Sequence, residues 1–246
     1  QFLQTGIHAI EGFLEARAGF FVDLLDRALQ RLHRAQVERV PYETLWIHAG
    51  EAWDTGAYVE YTTRHGFDPD GQTSAGVSLN ALMDTRDNAI NASKGWLASV
   101  SYRPFFKDVL GGDSSWQEVI FDVRTFRSLR KDARQKVAFW LYGDLVANGV
   151  APYFDLPTLG MDTYGRSGRG YAEGRFRGER LVYGEVEYRT TLTRNGVLGM
   201  VAFANTTTLS NLEDTQKLFD SFASAGGIGL RLLFNKRSRT NLCVDV

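Results

Sequence analysis

The residues best suited to chemistry lie between Gly165 and Arg189, where an arginine-rich segment runs into a predicted strand. The segment alternates arginines with glycines and offers little apolar surface for a core. In the strand, Glu185 and Glu187 are two residues apart and so share one face. An arginine brought onto that face would form charge-assisted hydrogen bonds with the carboxylates, and its guanidinium can bind a carboxylate in bidentate fashion.

Arg169 is the arginine best placed to make this contact. Gly168 and Gly170 flank it, and glycine permits the tight backbone reversal that would deliver the side chain. Tyr171 would then pack against the wall formed by the strands. The alternative is an ordinary cationic loop in which every arginine is solvated.

Other chemistry is poorly supported. The glycines match neither GxxxxGK[ST] nor GxGxxG, and Ser167 lies in GRSGR, where Arg169 replaces the second glycine of GxSxG. No nucleophile and base lie at a sequence spacing that identifies a catalytic pair. The single cysteine cannot form a metal site made of cysteines. The four histidines are far apart, without HxH or HExxH spacing: His8, His33, His48 and His65. We therefore expect no enzymatic activity, no cofactor and no metal.

The composition limits the class of protein. A chain of 246 residues suits one large or two small domains. Its net charge of −1 argues against a nucleic-acid partner, because neutralising phosphates requires a basic surplus. No stretch approaches 18 consecutive apolar residues, which excludes a transmembrane helix but not a transmembrane β-barrel.

Alternation of apolar and polar residues predicts strands over most of the chain after Pro41. The predicted strands are Tyr42–Ala49, Ala57–Arg64, Gly76–Asp84, Gly95–Arg103, Trp116–Phe126, Lys136–Ala147, Leu181–Leu192, Val197–Ala204, Gly226–Phe234 and Thr240–Val246. This pattern fits a soluble β-sandwich, whose polar face meets water, or a membrane barrel, whose polar face lines the lumen.

Two features favour the barrel. The polar faces mix both signs of charge, as in Glu118, Asp122 and Arg124, which suits paired ions in a closed lumen. Aromatic residues also lie near strand ends, as expected for girdles at the membrane interfaces. These aromatic residues are Trp96, Tyr102, Phe105, Phe106, Trp116, Phe126, Trp140, Tyr142 and Tyr183.

Residues 1–40 have a different pattern. Leucine and phenylalanine recur at helical spacing from Leu14 to Leu32, with charged residues opposite, and Pro41 ends the pattern. This predicts an amphipathic helix that covers a core, lies on a membrane surface or packs near a barrel mouth. Phe13–Val22 also alternates, so a strand there is an alternative.

Seven short motifs follow one another along the chain: MDTRDN (Met83–Asn88), GVAPYFDLPTLG (Gly149–Gly160), RGY (Arg169–Tyr171), GRFRG (Gly174–Gly178), EVEYRTTL (Glu185–Leu192), VAFA (Val201–Ala204) and GGIGLRLLF (Gly226–Phe234). In these motifs the chain from about Gly76 to Val246 resembles the barrel domain of the BamA/TamA outer-membrane assembly-factor superfamily, the bacterial surface antigen family. RGY followed by EYR at this spacing is the most specific.

The resemblance implies roles for particular residues. A long extracellular loop would fold into the lumen and carry the motif Arg169, Gly170 and Tyr171, with Glu187 as the partner of the arginine on the inner wall. The family usually has a second acid on the next strand. Asn205 stands there instead, and it can accept a hydrogen bond but carries no charge.

The resemblance also sets expectations about domains. No segment before Pro41 is long enough for the POTRA modules usual in the family, and a closing strand would follow Val246. At about 20 residues per strand and turn, the chain supports about 12 strands. We therefore predict an N-terminal amphipathic segment at 1–40 and an antiparallel, all-β outer-membrane barrel at 41–246.

The resulting hypothesis is a small barrel of the bacterial outer membrane that perturbs the bilayer. It would scramble lipids or assist membrane-protein insertion, with outer-membrane lipids and client outer-membrane proteins as partners. The alternatives are a passive diffusion pore and a soluble β-sandwich binding module.

Overall fold

The structure is a computed structural model that describes residues 34–39, 43–46, 56–210 and 215–246. The helix predicted at Leu14–Leu32 and the alternative strand Phe13–Val22 lie outside these residues. Arg34–Arg39, at the end of the predicted N-terminal segment, is a strand.

The described residues form eleven strands and one α-helix. In chain order these are β1 (Arg34–Arg39), β2 (Glu43–Trp46), α1 (Ala57–His65), β3 (Gly71–Ser74), β4 (Val77–Asp84), β5 (Gly95–Phe105), β6 (Trp116–Ser128), β7 (Gln135–Gly149), β8 (Arg180–Thr191), β9 (Leu198–Ser210), β10 (Ala223–Asn235) and β11 (Thr240–Asp245). Nine of the strands build one antiparallel sheet in the order β1-β4-β5-β6-β7-β8-β9-β10-β11, and β2 pairs with β3 separately.

The predicted strands from Gly76 onward are confirmed as β4 to β11. Period-two alternation identified them because each strand presents one face to each side of a single sheet. The segment Ala57–Arg64, however, was predicted as a strand and is the helix α1. In so short a window, buried Tyr58, Tyr61 and Thr62 also fit the i, i+3, i+4 spacing of a helix. Gly66 ends α1 in the left-handed region, at φ 74°.

The polarity of the two faces of the sheet is inverted relative to a soluble protein, with polar side chains inside and apolar ones outside. The inner face carries buried polar side chains, including Glu118 and Glu187, which are 6% and 4% exposed. The outer face carries large apolar side chains that remain exposed: Val77, Leu79, Trp96, Val100, Phe139, Leu141, Val186, Ile228, Leu230, Leu232, Leu242 and Val244. This is the reverse of a soluble β-sandwich and matches the wall of a membrane barrel.

The predicted aromatic girdle is wrong for several of its members. Trp116 and Phe105 lie on the inner face, stacked with ring centroids 4.0 Å apart. Tyr142 and Tyr183 are also buried there. Trp96 and Tyr102 face outward, as the girdle requires. Alternation fixes the face of an aromatic side chain, and position near a strand end does not.

The two ends of the sheet differ. Four connections at one end, called here the turn end, are short: residues 85–94, 129–134, 192–197 and 236–239. Long segments occupy the other end, where Tyr61 of α1 packs with Phe105, Trp116 and Val146 and donates a hydrogen bond to the Ala151 carbonyl oxygen at 3.0 Å. We call this the capped end, and the loop between β7 and β8 begins there. Among the described residues, no helix combines the length and apolar character needed to cross a bilayer.

Candidate functional site

The loop of residues 150–179 folds back onto the inner face of the sheet. It is a hydrogen-bonded ribbon in which the Leu159 N–H donates to the Phe176 carbonyl oxygen at 2.9 Å and Thr158 bridges to Arg177. The Asp162 carboxylate orders its tip by accepting hydrogen bonds from the backbone N–H groups of Arg166 and Ser167. The apolar side of the ribbon packs on the wall in one cluster, made of Leu159, Tyr171 and Phe176 with Ile120, Trp140, Tyr142, Leu181 and Tyr183.

A tight turn presents Arg169 to the wall. The Tyr171 N–H donates to the Gly168 carbonyl oxygen at 2.9 Å, and Gly170 occupies the third position with φ 94°, as a type II turn requires. A Cβ atom on Gly170 would lie 2.8 Å from the Cβ atom of Ala225 in β10. The Tyr171 hydroxyl donates to the Ser224 carbonyl oxygen at 2.8 Å, so the turn rests directly on β10.

The Arg169 guanidinium contacts three carboxylates. Its nitrogens lie 2.5 Å from Glu187, 3.3 Å from Glu185 and 2.6 Å from Asp245. The Cζ atom of the guanidinium also lies 3.7 Å from the centre of the Phe203 ring, a cation–π contact. Partial burial disfavours the charged form, but the three carboxylates more than offset it and raise the pKa of Arg169 above its ordinary value.

Two further arginines complete the network. Arg189 donates to Glu187, and Arg231 binds Asp245 while lying 3.9 Å from Glu187. Three guanidinium groups therefore face three carboxylates, and the network is neutral within itself. Removing one member of such a network is destabilising, because it leaves a desolvated charge with fewer partners.

Asn205 binds the main chain of the loop and not the charged side chain of Arg169. The Asn205 side-chain N–H donates to the Arg169 carbonyl oxygen at 2.9 Å. The sequence suggested Asn205 as an acceptor, but in the structure it is a donor. It lies directly across from Glu185 in the β8–β9 register, so the neutral Asn205 stands beside a carboxylate of β8.

Phe203, Arg231 and Asp245 also belong to the site, and the sequence motifs did not predict them. A signal existed in β10, where Gly227, Gly229 and Arg231 alternate with apolar residues and so face inward. Gly229 lies opposite Asp245 in the register, and its missing side chain leaves room for the Asp245 carboxylate. Finding this contact required the pairing of β10 with β11.

A second polar cluster orders the turn end. Arg86 donates from Nε and Nη2 to the Asp84 carboxylate at 2.9 and 2.7 Å. Asp87 accepts hydrogen bonds from the backbone N–H groups of Ser93 and Lys94, and Arg239 of the β10–β11 turn lies 3.3 Å away. Arg239 thus connects turns from opposite sides of the nine-stranded sheet, which shows that the sheet curves around its inner face.

A cavity of about 860 Å³ lies between the loop and the inner face. Among the residues that the structure describes, no group of His, Cys, Asp and Glu side chains could hold a metal ion. The arrangement is suited to clamping a loop inside a curved sheet, and its charged groups are engaged with one another.

Comparison with known proteins gives a family match and structural matches. Residues 48–235 match the model of the Omp85 superfamily domain. The structure is similar to the crystal structure of BamA from Haemophilus ducreyi lacking POTRA domains 1-3, with a TM-score of 0.59 and 14% sequence identity. That similarity covers 72% of this chain and 41% of the BamA chain, so this chain spans less than half of that relative. At this identity the similarity shows a shared fold. No curated protein matches the chain.

Proposed function

This chain belongs to the Omp85 superfamily, and from that premise we propose that it is a barrel of the bacterial outer membrane that disturbs the surrounding bilayer. The disturbance would let lipids cross between leaflets or assist the insertion of client outer-membrane proteins. Lipids are then its direct partners, and neither catalysis nor a cofactor is required.

The inverted polarity of the sheet is the observation that carries the proposal. A transmembrane strand needs about 9–11 residues, and strands β5 to β10 have 11 to 15. Their apolar side chains are exposed on the outer face, where only lipid would remove them from water.

A polar interruption of the apolar belt supports the disturbance of lipid. On the outer face of β10, apolar side chains run from Ile228 to Phe234, about 20 Å along the strand. Toward the capped end the face continues with Gly226 and Ser224, and the Ser224 hydroxyl donates to the Thr206 hydroxyl at 2.9 Å. A short belt beside exposed hydroxyl groups favours local thinning of the bilayer.

The test is lipid flip-flop in vesicles that contain the purified chain, measured by dithionite quenching of a fluorescent lipid. We expect faster exchange between leaflets than in empty vesicles. The double variant Ser224→Leu, Thr206→Leu removes the hydroxyl groups and should slow the exchange. Ala202→Leu, which adds a leucine inside the belt, is the matched control and should leave it unchanged.

Exchange no faster than in empty vesicles would contradict the lipid-scrambling form of the proposal. Equal exchange in the double variant and the control would contradict the role of Ser224 and Thr206. The insertion form is tested separately, by whether the chain accelerates assembly of an unfolded outer-membrane protein into the same vesicles.

A passive pore is the second candidate, and the cavity of about 860 Å³ favours it. The docked loop argues against it, because the loop occupies space on the inner face, where Arg169 binds Glu187 of β8 and Tyr171 binds the backbone of β10. Single-channel recording decides between them. A large, steady conductance would support the pore, whereas a small or flickering one would support the loop as a plug.

A further inference from the structure

The cavity beneath the docked loop has a surplus of positive charge. The neutral network of three arginines and three carboxylates contributes nothing to this surplus, and Arg239 is paired with Asp87. Four other cations line the cavity without a salt bridge to any described residue: Arg134, Lys136, Arg166 and Lys236. Outside the network, the one carboxylate among the described lining residues is that of Glu173.

Two cationic side chains in this cavity meet at a single neutral acceptor. Lys136 and Arg189 lie directly opposite each other in the β7–β8 register. The Lys136 ammonium donates to the Asn91 side-chain oxygen at 3.3 Å, and Nη1 of Arg189 donates to the same oxygen at 3.5 Å. Like charges directly across two strands are destabilising. Glu187 compensates the Arg189 guanidinium, whereas the Asn91 oxygen carries too little charge to compensate the Lys136 ammonium.

From this geometry we propose that Lys136, Arg189 and Asn91 form a binding site for a small, water-borne phosphate-bearing anion. A phosphate has several oxygens, so one can accept from the ammonium while others accept from the guanidinium. Glu187 cannot take this place, because it is already engaged by Arg169 and by Nε of Arg189.

The anion would come from water and not from a lipid headgroup. Lys136 and Arg189 project to the inner face, while their strand neighbours Val137 and Tyr188 project to the outer face. The nearest opening is at the turn end, since Asn91 belongs to the β4–β5 turn. This inference does not depend on the proposed action on lipids.

The single cysteine of the chain is a reporter for this cavity. Cys243 lines it and is exposed. Its modification rate can be compared for two thiosulfonate reagents of similar size, one bearing a sulfonate and one bearing a trimethylammonium group. Each rate is divided by the rate of the same reagent with a small free thiol.

For the native chain at low ionic strength, we expect the anionic reagent to react about tenfold faster than the cationic one. Inorganic phosphate, added at constant ionic strength with chloride, should slow the anionic reagent. In Lys136→Gln, which keeps a donor to Asn91 but removes the charge, both effects should diminish. Lys131→Gln removes a charge from the exposed β6–β7 turn, outside the cavity, and should behave like the native chain.

Equal rates for the two reagents would overturn the cationic cavity. An equal phosphate effect in the native chain and in Lys136→Gln would overturn the assigned site. Slowing by phosphatidylglycerol vesicles without free phosphate would show that the ligand is a lipid headgroup, contrary to the proposal.

Discussion

The side-chain amide of Asn205 donates to the main-chain carbonyl oxygen of Arg169 at 2.9 Å, so one residue of β9 fixes the backbone of the loop while its neighbours fix the charge. Glu185 lies across from Asn205 and contacts the Arg169 guanidinium at 3.3 Å. The two positions therefore divide the work: a carboxylate on β8 binds the cation, and a neutral donor on β9 binds the carbonyl group. An acid at position 205 would lack the donor and would face Glu185.

We therefore expect Asn205→Asp to weaken docking of the loop. The carboxylate would repel both the Arg169 carbonyl oxygen and Glu185, and the lost hydrogen bond alone costs about 1–3 kcal/mol when the acceptor stays buried. Thermal unfolding followed by near-ultraviolet circular dichroism measures the change.

Asn205→Ala is the control for that change, since it removes the donor without adding charge and should cost less than Asn205→Asp. An Asn205→Asp chain as stable as the native one would show that a carboxylate there reaches the guanidinium, and would contradict the division of roles.

Removing the guanidinium has a second predictable effect. Arg169→Ala leaves Glu185, Glu187 and Asp245 with fewer partners. A buried carboxylate that loses its only partner costs about 3–5 kcal/mol. Here we expect about 2–4 kcal/mol, because Arg189 still binds Glu187 and Arg231 still binds Asp245. The released loop should also become a substrate for trypsin, so limited proteolysis reports undocking directly.

Two further variants show which property of Arg169 causes the effect of Arg169→Ala. Arg169→Lys keeps the charge but loses the planar contact with Phe203, and should fall between alanine and the native chain. Arg175→Ala changes an exposed arginine of the same loop and should change neither stability nor cleavage inside the loop apart from its own site. Native-like resistance to trypsin in Arg169→Ala would mean that the apolar ribbon docks without the ionic network.

The strands of the sheet and the contact of Arg169 with Glu185 and Glu187 could be predicted from the local sequence pattern. Alternation identified β4 to β11, since every strand faces two different environments. The same alternation placed Glu185 and Glu187 on one face, and the glycines around Arg169 pointed to the turn that presents it. The 2.5 Å contact between Arg169 and Glu187 joins the two segments that this pattern selected.

The rest depended on information that no local window contains. Asp245 approaches Arg169 because β11 pairs with β10 in a register that sets it across from Gly229. The segment of helix α1 was predicted as a strand because so short a window fits both periods, and the packing of Tyr61 on Phe105 and Trp116 distinguishes them. Trp116 and Tyr183 were assigned to the membrane interface by position, whereas the docked loop and α1 bury them on the inner face.

The backbone of the turn gives a third prediction. A methyl group at Gly170 meets the Cβ atom of Ala225 at 2.8 Å, in addition to the strain of a side chain at φ 94°. We expect Gly170→Ala to destabilise the docked loop by about 2–4 kcal/mol, of which about 1 kcal/mol is backbone strain. Differential scanning calorimetry of the purified chain measures the loss.

Gly174 is a matched control in the same loop. Its φ is 77°, but a Cβ atom there meets no other atom within 4 Å. Gly174→Ala should therefore show the backbone strain alone. If the two variants lose equal stability, the close approach of Gly170 to Ala225 does not restrict the residue at position 170.

The polar cluster at the turn end gives a pH dependence. Partial burial alone would raise the pKa of the Asp87 carboxyl, but the N–H groups of Ser93 and Lys94 and the Arg239 guanidinium outweigh it and lower that pKa. Because the folded-state pKa lies below the unfolded one, the stabilisation is complete above the unfolded pKa of about 4. It is lost as the pH falls through the folded-state pKa. Melting temperature should therefore drop more steeply below about pH 4 in the native chain than in Asp87→Asn.

A variant of Arg239 shows how much of this pH dependence comes from the contact between the two turns and how much from the backbone hydrogen bonds within one turn. Arg239→Gln removes the cation that joins the β10–β11 turn to the β4–β5 turn, yet leaves the two backbone hydrogen bonds to Asp87. We expect it to retain part of the acid sensitivity and to lower the melting temperature at neutral pH by a small amount, because the pair is partly exposed. An acid transition in Asp87→Asn identical to the native one would assign the pH dependence to another carboxylate.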